Sequence, residues 1–397
     1  MIEKKQNCTG CNACYNICPR SCITMDTDKE GFWYPKVNEQ RCIDCHLCEK
    51  GCPVLKPIAE PVKKDLPISF AACSRNNAVR IQSSSGGIFS ELAQAILGQG
   101  GVVFGAAFQD DFSVSHICVE SVDELGKLRG SKYLQSRIGS TYKQAKNFLE
   151  KGRLVYFSGT PCQIEGLLSY LGKEYDNLYT QDLICHGVPS PMAWEKYVKY
   201  REKKAASKTQ KVSFRHKEDS WQKYFVRFDF KDGTSYIRDH SEDLYITGFL
   251  RDLSLRPSCY DCRFKTMNRH ADITLADFWG IETVCPEMND DKGTSLVLIH
   301  SEKGKKLWNM ISDQIVYRSV ETEQAIKYNT AAVQSVNEPH NRDAFIKAIR
   351  RGNFDKTVRK FTTKKKRSFS FRCTLKKALR KIIGNKTVDA IKRKLGR

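Results

Sequence analysis

No run in this 397-residue chain approaches the 18 or so apolar residues that a membrane-spanning helix needs, so nothing in it calls for a transmembrane segment. The opening MIEKKQNC lacks the apolar stretch of a secretory leader, and cytoplasmic residence is the expectation. Neither GxGxxG nor GxxxxGKS/T occurs, so the usual glycine loops for dinucleotides and nucleoside triphosphates are missing. CxxxCxxC is missing too, which disfavours radical S-adenosylmethionine chemistry. Acidic residues are scarce at one end only. From Lys356 to Arg397 there are 17 Lys/Arg and one acid, Asp389, against 49 basic and 44 acidic residues in the remainder. The net charge of +21 is therefore mostly a tail, which argues against a broad nucleic-acid footprint on the fold.

What the chain does have is cysteine, 17 in all. Without a leader, CxxC spacings favour metal ligation over disulfides. Cys8, Cys11, Cys14 and Cys18 run C-x2-C-x2-C-x3-C and are followed by Pro19; Cys42, Cys45, Cys48 and Cys52 repeat the pattern before Pro53. This is the spacing of a bacterial two-cluster ferredoxin, in which each tight loop gives three thiolates and the fourth ligand crosses from the other motif. Cys8, Cys11, Cys14 and Cys52 are thus assigned to one [4Fe–4S] cluster, and Cys42, Cys45, Cys48 and Cys18 to a second. A zinc site, which wants two pairs of ligands, fits a 3+1 pattern badly. Cys22, Cys73, Cys118 and Cys373 are read as structural or incidental.

The pattern divides the chain into an α+β ferredoxin-like head over 1–55, a proline-rich linker over 56–67, an α/β mixed-sheet core over 68–335 and a helical basic tail over 336–397. In the core, RLVYFSG, TPCQIEGLLSYL and LYTQDLIC read as strand, helix and strand, a crossover that makes the strands parallel neighbours. KVSFRHK, KYFVRFDF and KDGTSYI read as an antiparallel meander, and ADITLADFWG and GTSLVLIH as further strands. Cys162 falls at a helix start, where the helix dipole favours a thiolate. Cys185 falls at the end of the next strand. Both then project from the carboxyl edge of the sheet, the edge where open α/β sheets bind ligands. With Cys259 and Cys262 in CYDC they make a candidate third [4Fe–4S] site. The plainer readings are buried thiols for the first two, and zinc or nothing for the second two, with Cys285 a substitute ligand. Ser85, Gly86 and Gly87 open a helix, either as a pyrophosphate cradle or as an ordinary cap. Lys132 and Tyr133 in GSKY could meet a phosphate and a ring, or form a surface turn. His186 is a candidate proton donor or an ordinary satisfied histidine.

Taken together, SSSGGIFSELAQAIL, RGSKYLQS, SGTPCQIEGL, DLICHGVPSPMAWEKY, CYDCRF and HADITLADFWG resemble the beta subunit of coenzyme F420-reducing hydrogenase and its relatives, including the input subunit of coenzyme F420 dehydrogenase. The resemblance spans about 74–300. The head is similar to that of dehydrogenase-type and bacterial members, some of which accompany capsule or exopolysaccharide synthesis. The resemblance implies an FAD-bearing core with its own [4Fe–4S] cluster, flavin contacts from the SGG and GSKY segments, and a two-electron substrate that in archaeal members is coenzyme F420. It implies an iron–sulfur flavin oxidoreductase working with a redox partner protein or ferredoxin. The alternative is an electron-transfer subunit without its own substrate, docked on a partner enzyme. No catalytic residue is assigned. In the tail, Leu375, Leu379, Ile382 and Ile383 share one helical face opposite Lys/Arg, which suits an anionic membrane surface on the cytoplasmic side or a solvated tail. RNA contact ranks below both.

Overall fold

The computed structural model describes residues 4–59, 67–218 and 220–363. In the head, β1 (Ile23–Thr27) and β2 (Trp33–Val37) form an antiparallel hairpin between the two cysteine motifs. The chain then builds β3 (Ile68–Ser74), β4 (Val102–Phe108), β5 (Val114–Val119), β6 (Val155–Ser158) and β7 (Leu178–Leu183). A three-stranded meander follows, β8 (Thr209–His216), β9 (Phe225–Phe230) and β10 (Ser235–Asp239), and then β11 (Ile273–Asp277), β12 (Ser295–Ile299) and β13 (Ile315–Val320).

Eight of these strands make one mixed sheet in the order β13-β3-β12-β11-β7-β6-β4-β5. Its centre, β11-β7-β6-β4, is parallel, and antiparallel strands flank it on both sides. The crossover helix Pro161–Leu171 joins β6 to β7 as the sequence pattern requires, stopped by Gly172 in a left-handed turn with φ of 66°. Helices cover both faces. Ile88, Leu92 and Ile96 of helix Ile88–Leu97 pack on one face with Leu307 and Trp308 of helix Glu302–Asn309. Tyr142, Ala145 and Leu149 pack on the other face with Ile164 and Leu167. Double coverage explains why β12, SLVLI, is buried at every position rather than at alternate ones. The meander alternates instead: Val226, Phe228 and Phe230 of β9 face inward, against Trp194 and Tyr197 of helix Pro191–Ala205.

The segment read as a helical tail from 336 starts against the meander. Helices Arg342–Arg351 and Phe354–Thr362 bury Phe345, Ile346, Ile349, Phe354 and Val358 in the meander layer. The amphipathic stretch around Leu375–Ile383 lies outside the described residues, as does part of the linker.

The head is fastened to the core through fully buried Arg256. Its Nε donates to Cys8 O at 2.8 Å, Nη1 to Gln135 Oε1 at 3.0 Å and Nη2 to Trp33 O at 3.0 Å. Arg342 pairs with Glu30 of the head. Gly166 lets the Pro161 helix approach the first cysteine loop: an added Cβ would fall 2.9 Å from Cys11 Cβ and 3.0 Å from its Sγ. Among the described residues no helix is long and apolar enough to cross a membrane.

Candidate functional site

The carboxyl ends of the parallel strands open into a cavity of about 470 Å³, within the roughly 300–1,000 Å³ of small-molecule sites. Its walls include Ala106 of β4, Ser158 at the end of β6, Cys185 after β7 and Asp277 at the end of β11. Ser85 and Gly87 line it at the start of the Ile88 helix, and Gly86 stands between them. Gly86 has to be glycine, because a Cβ there would come within 2.4 Å of Ala72 O. Gly87 takes φ of 90°. The serine hydroxyls are already engaged: Ser85 Oγ donates to Thr294 O at 2.8 Å, and Ser84 Oγ accepts from Ser131 N at 2.7 Å. Ser84 Oγ, accepting from both Ser131 N and Ser131 Oγ, keeps its own hydrogen, so an anion at this helix start is left to that hydroxyl and to the amides beyond Gly86, whose N–H goes to Ser295 Oγ.

The other candidate contacts also line the cavity. Lys132 Nζ donates to the carbonyls of Leu128 at 2.8 Å and Arg129 at 2.9 Å, and burial lowers its pKa to about 7. The ammonium therefore spends its hydrogens on its own turn. The Tyr133 ring stacks on Phe249 with centroids 5.2 Å apart. His186 Nε2 lies 2.6 Å from Asp252 Oδ1.

Two lining residues carry no sequence signal. His116 on β5 is buried, with Nε2 donating to Ser158 O at 2.9 Å and Nδ1 facing Ser136 Oγ at 2.7 Å. A carbonyl only accepts, so Nε2 carries the proton and Nδ1 accepts from the hydroxyl. Burial lowers its pKa to about 4, which keeps it neutral. Arg215 on β8 pairs with Asp277 from inside the wall.

Cys162, Cys185, Cys259 and Cys262 come together beside the cavity. β7 ends at Leu183, two residues short of Cys185, which hangs from the following loop and lines the cavity. Val188 N, in the same loop, donates to Cys259 Sγ at 3.5 Å. The four sulfurs act on one another. Burial first, then Cys262 and Cys259, push Cys162 up to about 12. Burial, then Cys259, Cys162 and Cys262, raise Cys185 well above the ordinary thiol range. The helix start was expected to favour a thiolate at Cys162, but burial outweighs it, and the thiol stays protonated unless a positive centre is supplied.

In the head, Cys8, Cys11, Cys14 and Cys52 line one small hollow. Burial, then Cys8 and Cys52, raise Cys14 to about 12. Cys11 feels both Cys14 and Cys162, so the first head quartet and the core quartet adjoin. Cys18, Cys42 and Cys48 pack together with Cys22, while Cys45 is exposed. Cys22 Sγ lies 3.3 Å from Cys18 Sγ. Among the described residues, no three His, Cys, Asp or Glu side chains close on a single-ion site. Three sets of soft thiols are a fitting donor set for iron–sulfur clusters.

Residues 152–325 match the family described as the C terminus of the coenzyme F420 hydrogenase/dehydrogenase beta subunit, and residues 7–55 match the 4Fe-4S dicluster domain. The chain is similar to the F subunit of F(420)H(2) dehydrogenase from Methanosarcina mazei, 24% identical over 165 residues, covering 39% of this chain and 46% of that protein. It is also similar to the coenzyme F420-dependent sulfite reductase of Methanocaldococcus jannaschii, 24% identical over 312 residues, covering 77% of this chain and 46% of that protein. The match thus spans less than half the length of either relative. Among solved structures, a chain of the F420-reducing [NiFe] hydrogenase complex from Methanosarcina barkeri aligns with a TM-score of 0.44 at 15% identity, covering 76% of this chain and 94% of that one.

Proposed function

We propose, from the premise that this chain belongs through residues 152–325 to the family of coenzyme F420 hydrogenase/dehydrogenase beta subunits and carries a 4Fe-4S dicluster domain at 7–55, that it is an iron–sulfur flavoprotein oxidoreductase. The observation that carries this reading is one of adjacency: Cys185 lines the ligand cavity, and Cys162 of the same quartet acts on Cys11 of the head. Cys8, Cys11, Cys14 and Cys52 would hold one [4Fe–4S] cluster, Cys42, Cys45, Cys48 and Cys18 a second, and Cys162, Cys185, Cys259 and Cys262 a third. FAD would occupy the cavity. A flavin bound there supplies the exchange between two-electron and one-electron carriers that clusters alone lack. The substrate we propose is a hydride-bearing deazaflavin of the kind named for the two relatives.

The chain's own part is placement. Gly86, its own amide spent on Ser295 Oγ, permits the close approach that brings the Gly87 amide to the cavity edge, Tyr133 offers a ring, and neutral His116 holds Ser136 and Ser158 in register without adding charge. Domain limits at 1–55 and 56–67, attachment of the distal tail to an anionic membrane surface, and a role in polysaccharide synthesis belong to the same proposal.

A second reading, an electron-transfer subunit docked on a partner enzyme, draws support from the second head quartet. There Ile43 is 59% exposed and Leu47 37%, beside exposed Cys45. Anaerobic purification with iron and flavin counts tests both readings. About 12 irons with one FAD is the expected result. About 8 irons without flavin overturns the flavoenzyme reading and leaves the docking subunit.

A further inference from the structure

Arg215 is held in the cavity wall with its side chain 2% exposed. Nη1 is committed to the Asp277 carboxylate and lies 3.4 Å from Tyr133 Oη. Nε and Nη2 are buried and have no hydrogen-bond partner. Those two nitrogens share one edge of the guanidinium, and that edge grips a carboxylate or phosphate with two parallel bonds.

The plane is fixed from the sides. The guanidinium carbon lies 4.1 Å from the Tyr224 ring centroid and 5.3 Å from that of Trp279. Asp277 is braced in turn by Trp221 Nε1 at 3.3 Å, and its carbonyl by Asn329 Nδ2 at 3.1 Å. A buried cation with one edge paired and the other left without acceptors is costly as a purely structural device.

The start of the Ile88 helix lies close by. Asp277 faces Ser295 in the β11–β12 register, and Ser295 Oγ accepts from Gly86 N at 3.0 Å. Lys217, two residues beyond Arg215, donates to Ser85 O at 2.7 Å. The positive end of a ten-residue helix thus shares the cavity wall with the Arg215–Asp277 pair.

We propose that Arg215 anchors one oxyanion, a carboxylate or a phosphoryl group, of the molecule that fills the cavity. The inference rests on the cavity being a ligand site but not on the ligand being a flavin. Two sources share this chemistry: the phosphates of FAD, or the acid group of the second reactant.

Arg215→Lys in the full chain separates the sources, because lysine keeps the charge facing Asp277 and loses the two-pronged edge. If the oxyanion belongs to FAD, the variant weakens FAD binding by about 10- to 100-fold and leaves riboflavin, which has no phosphate, within about twofold. If it belongs to the second reactant, FAD binding is unchanged. Inorganic phosphate or pyrophosphate then perturbs the flavin spectrum of wild type but not of the variant. Equal weakening of FAD and riboflavin overturns the proposal in favour of a structural role. Unchanged flavin binding with no response to either anion in wild type also overturns it. If wild type binds no flavin, the flavoenzyme reading falls by itself. Protection against thermal unfolding by pyrophosphate, present in wild type and lost in the variant, then supports the oxyanion site, and equal protection of both or of neither overturns it.

Discussion

The cysteines of the head and those of the core reach similar groupings by opposite routes. In the head, three sulfurs of each quartet come from one seven-residue stretch, so local spacing gathers them before any tertiary structure forms. In the core, Cys162 comes from a helix start, Cys185 from the loop after β7, and Cys259 and Cys262 from a loop beyond the meander. Only the parallel pairing of β6 and β7 brings the first two together. The first kind of site is written in the sequence, and the second is a product of the fold. The core site should therefore depend on the sheet, and the cavity on the core site.

The sharpest way to break this contrast is to remove one ligand from each kind. Cys259→Ser should cost about four of about twelve irons and also lower flavin occupancy, because its quartet shares a loop with the cavity wall. Cys48→Ser in the second head quartet should cost a similar amount of iron and leave flavin occupancy intact. Iron and flavin counts on anaerobically purified protein, with electron paramagnetic resonance of the reduced state, read both. Loss of flavin from the head variant as well would show that the two regions form one cooperative unit.

Arg256 is where that unit would be joined. Replacing it by glutamine removes the guanidinium donors from the buried Cys8, Gln135 and Trp33 acceptors. Leaving such groups unpaired should cost about 3–5 kcal/mol, seen as a lower midpoint in denaturant unfolding of the full chain. The head should also become accessible to limited proteolysis while the core stays intact.

How much of this was legible beforehand follows the same divide. The doubled motif, the crossover around Cys162, the meander and the ligand edge of the sheet were all readable, because each is a local pattern. β13 carries no such pattern. It is an edge strand with burial at one end only, and it pairs with β3 some 240 residues earlier, Val316 against Cys73. Arg215 and Asp277 gave no signal either, since an arginine in a strand and an aspartate at a strand end look ordinary until the fold sets them face to face. In 342–362 the basic residues hide from a sequence reading an apolar face that the meander buries. At Cys162 the helix dipole, which acts over one turn, and burial, which acts on the whole group and raises the thiol, pull in opposite directions.

His116 belongs to the fold-made side and gives that side a pH signature. Its folded pKa of about 4 lies below the ordinary histidine value of 6.5. Between those values the unfolded chain binds the proton and the folded one does not, so stability rises with pH across this window. The contribution is complete above about pH 6.5 and lost as pH falls through about 4, amounting to about 3 kcal/mol. His116→Gln should flatten this part of the stability profile of the full chain, measured by denaturant midpoints from pH 4 to 7. An unchanged slope would mean that other groups carry the acid sensitivity.

Cys22 should show the smallest effect, and it tests whether spacing or proximity chooses a ligand in the head. Its sulfur lies 3.3 Å from Cys18 Sγ and packs with Cys42 and Cys48, so by distance alone it rivals Cys18 for the second quartet. Spacing favours Cys18, which completes the C-x2-C-x2-C-x3-C run and precedes the proline that turns the chain away. Cys22→Ser should then keep the full iron count and the head signals, whereas Cys18→Ser should lower both. If the Cys22 variant loses about four irons and the Cys18 variant keeps them, proximity in the folded head sets the ligand, and the head is as dependent on its fold as the core.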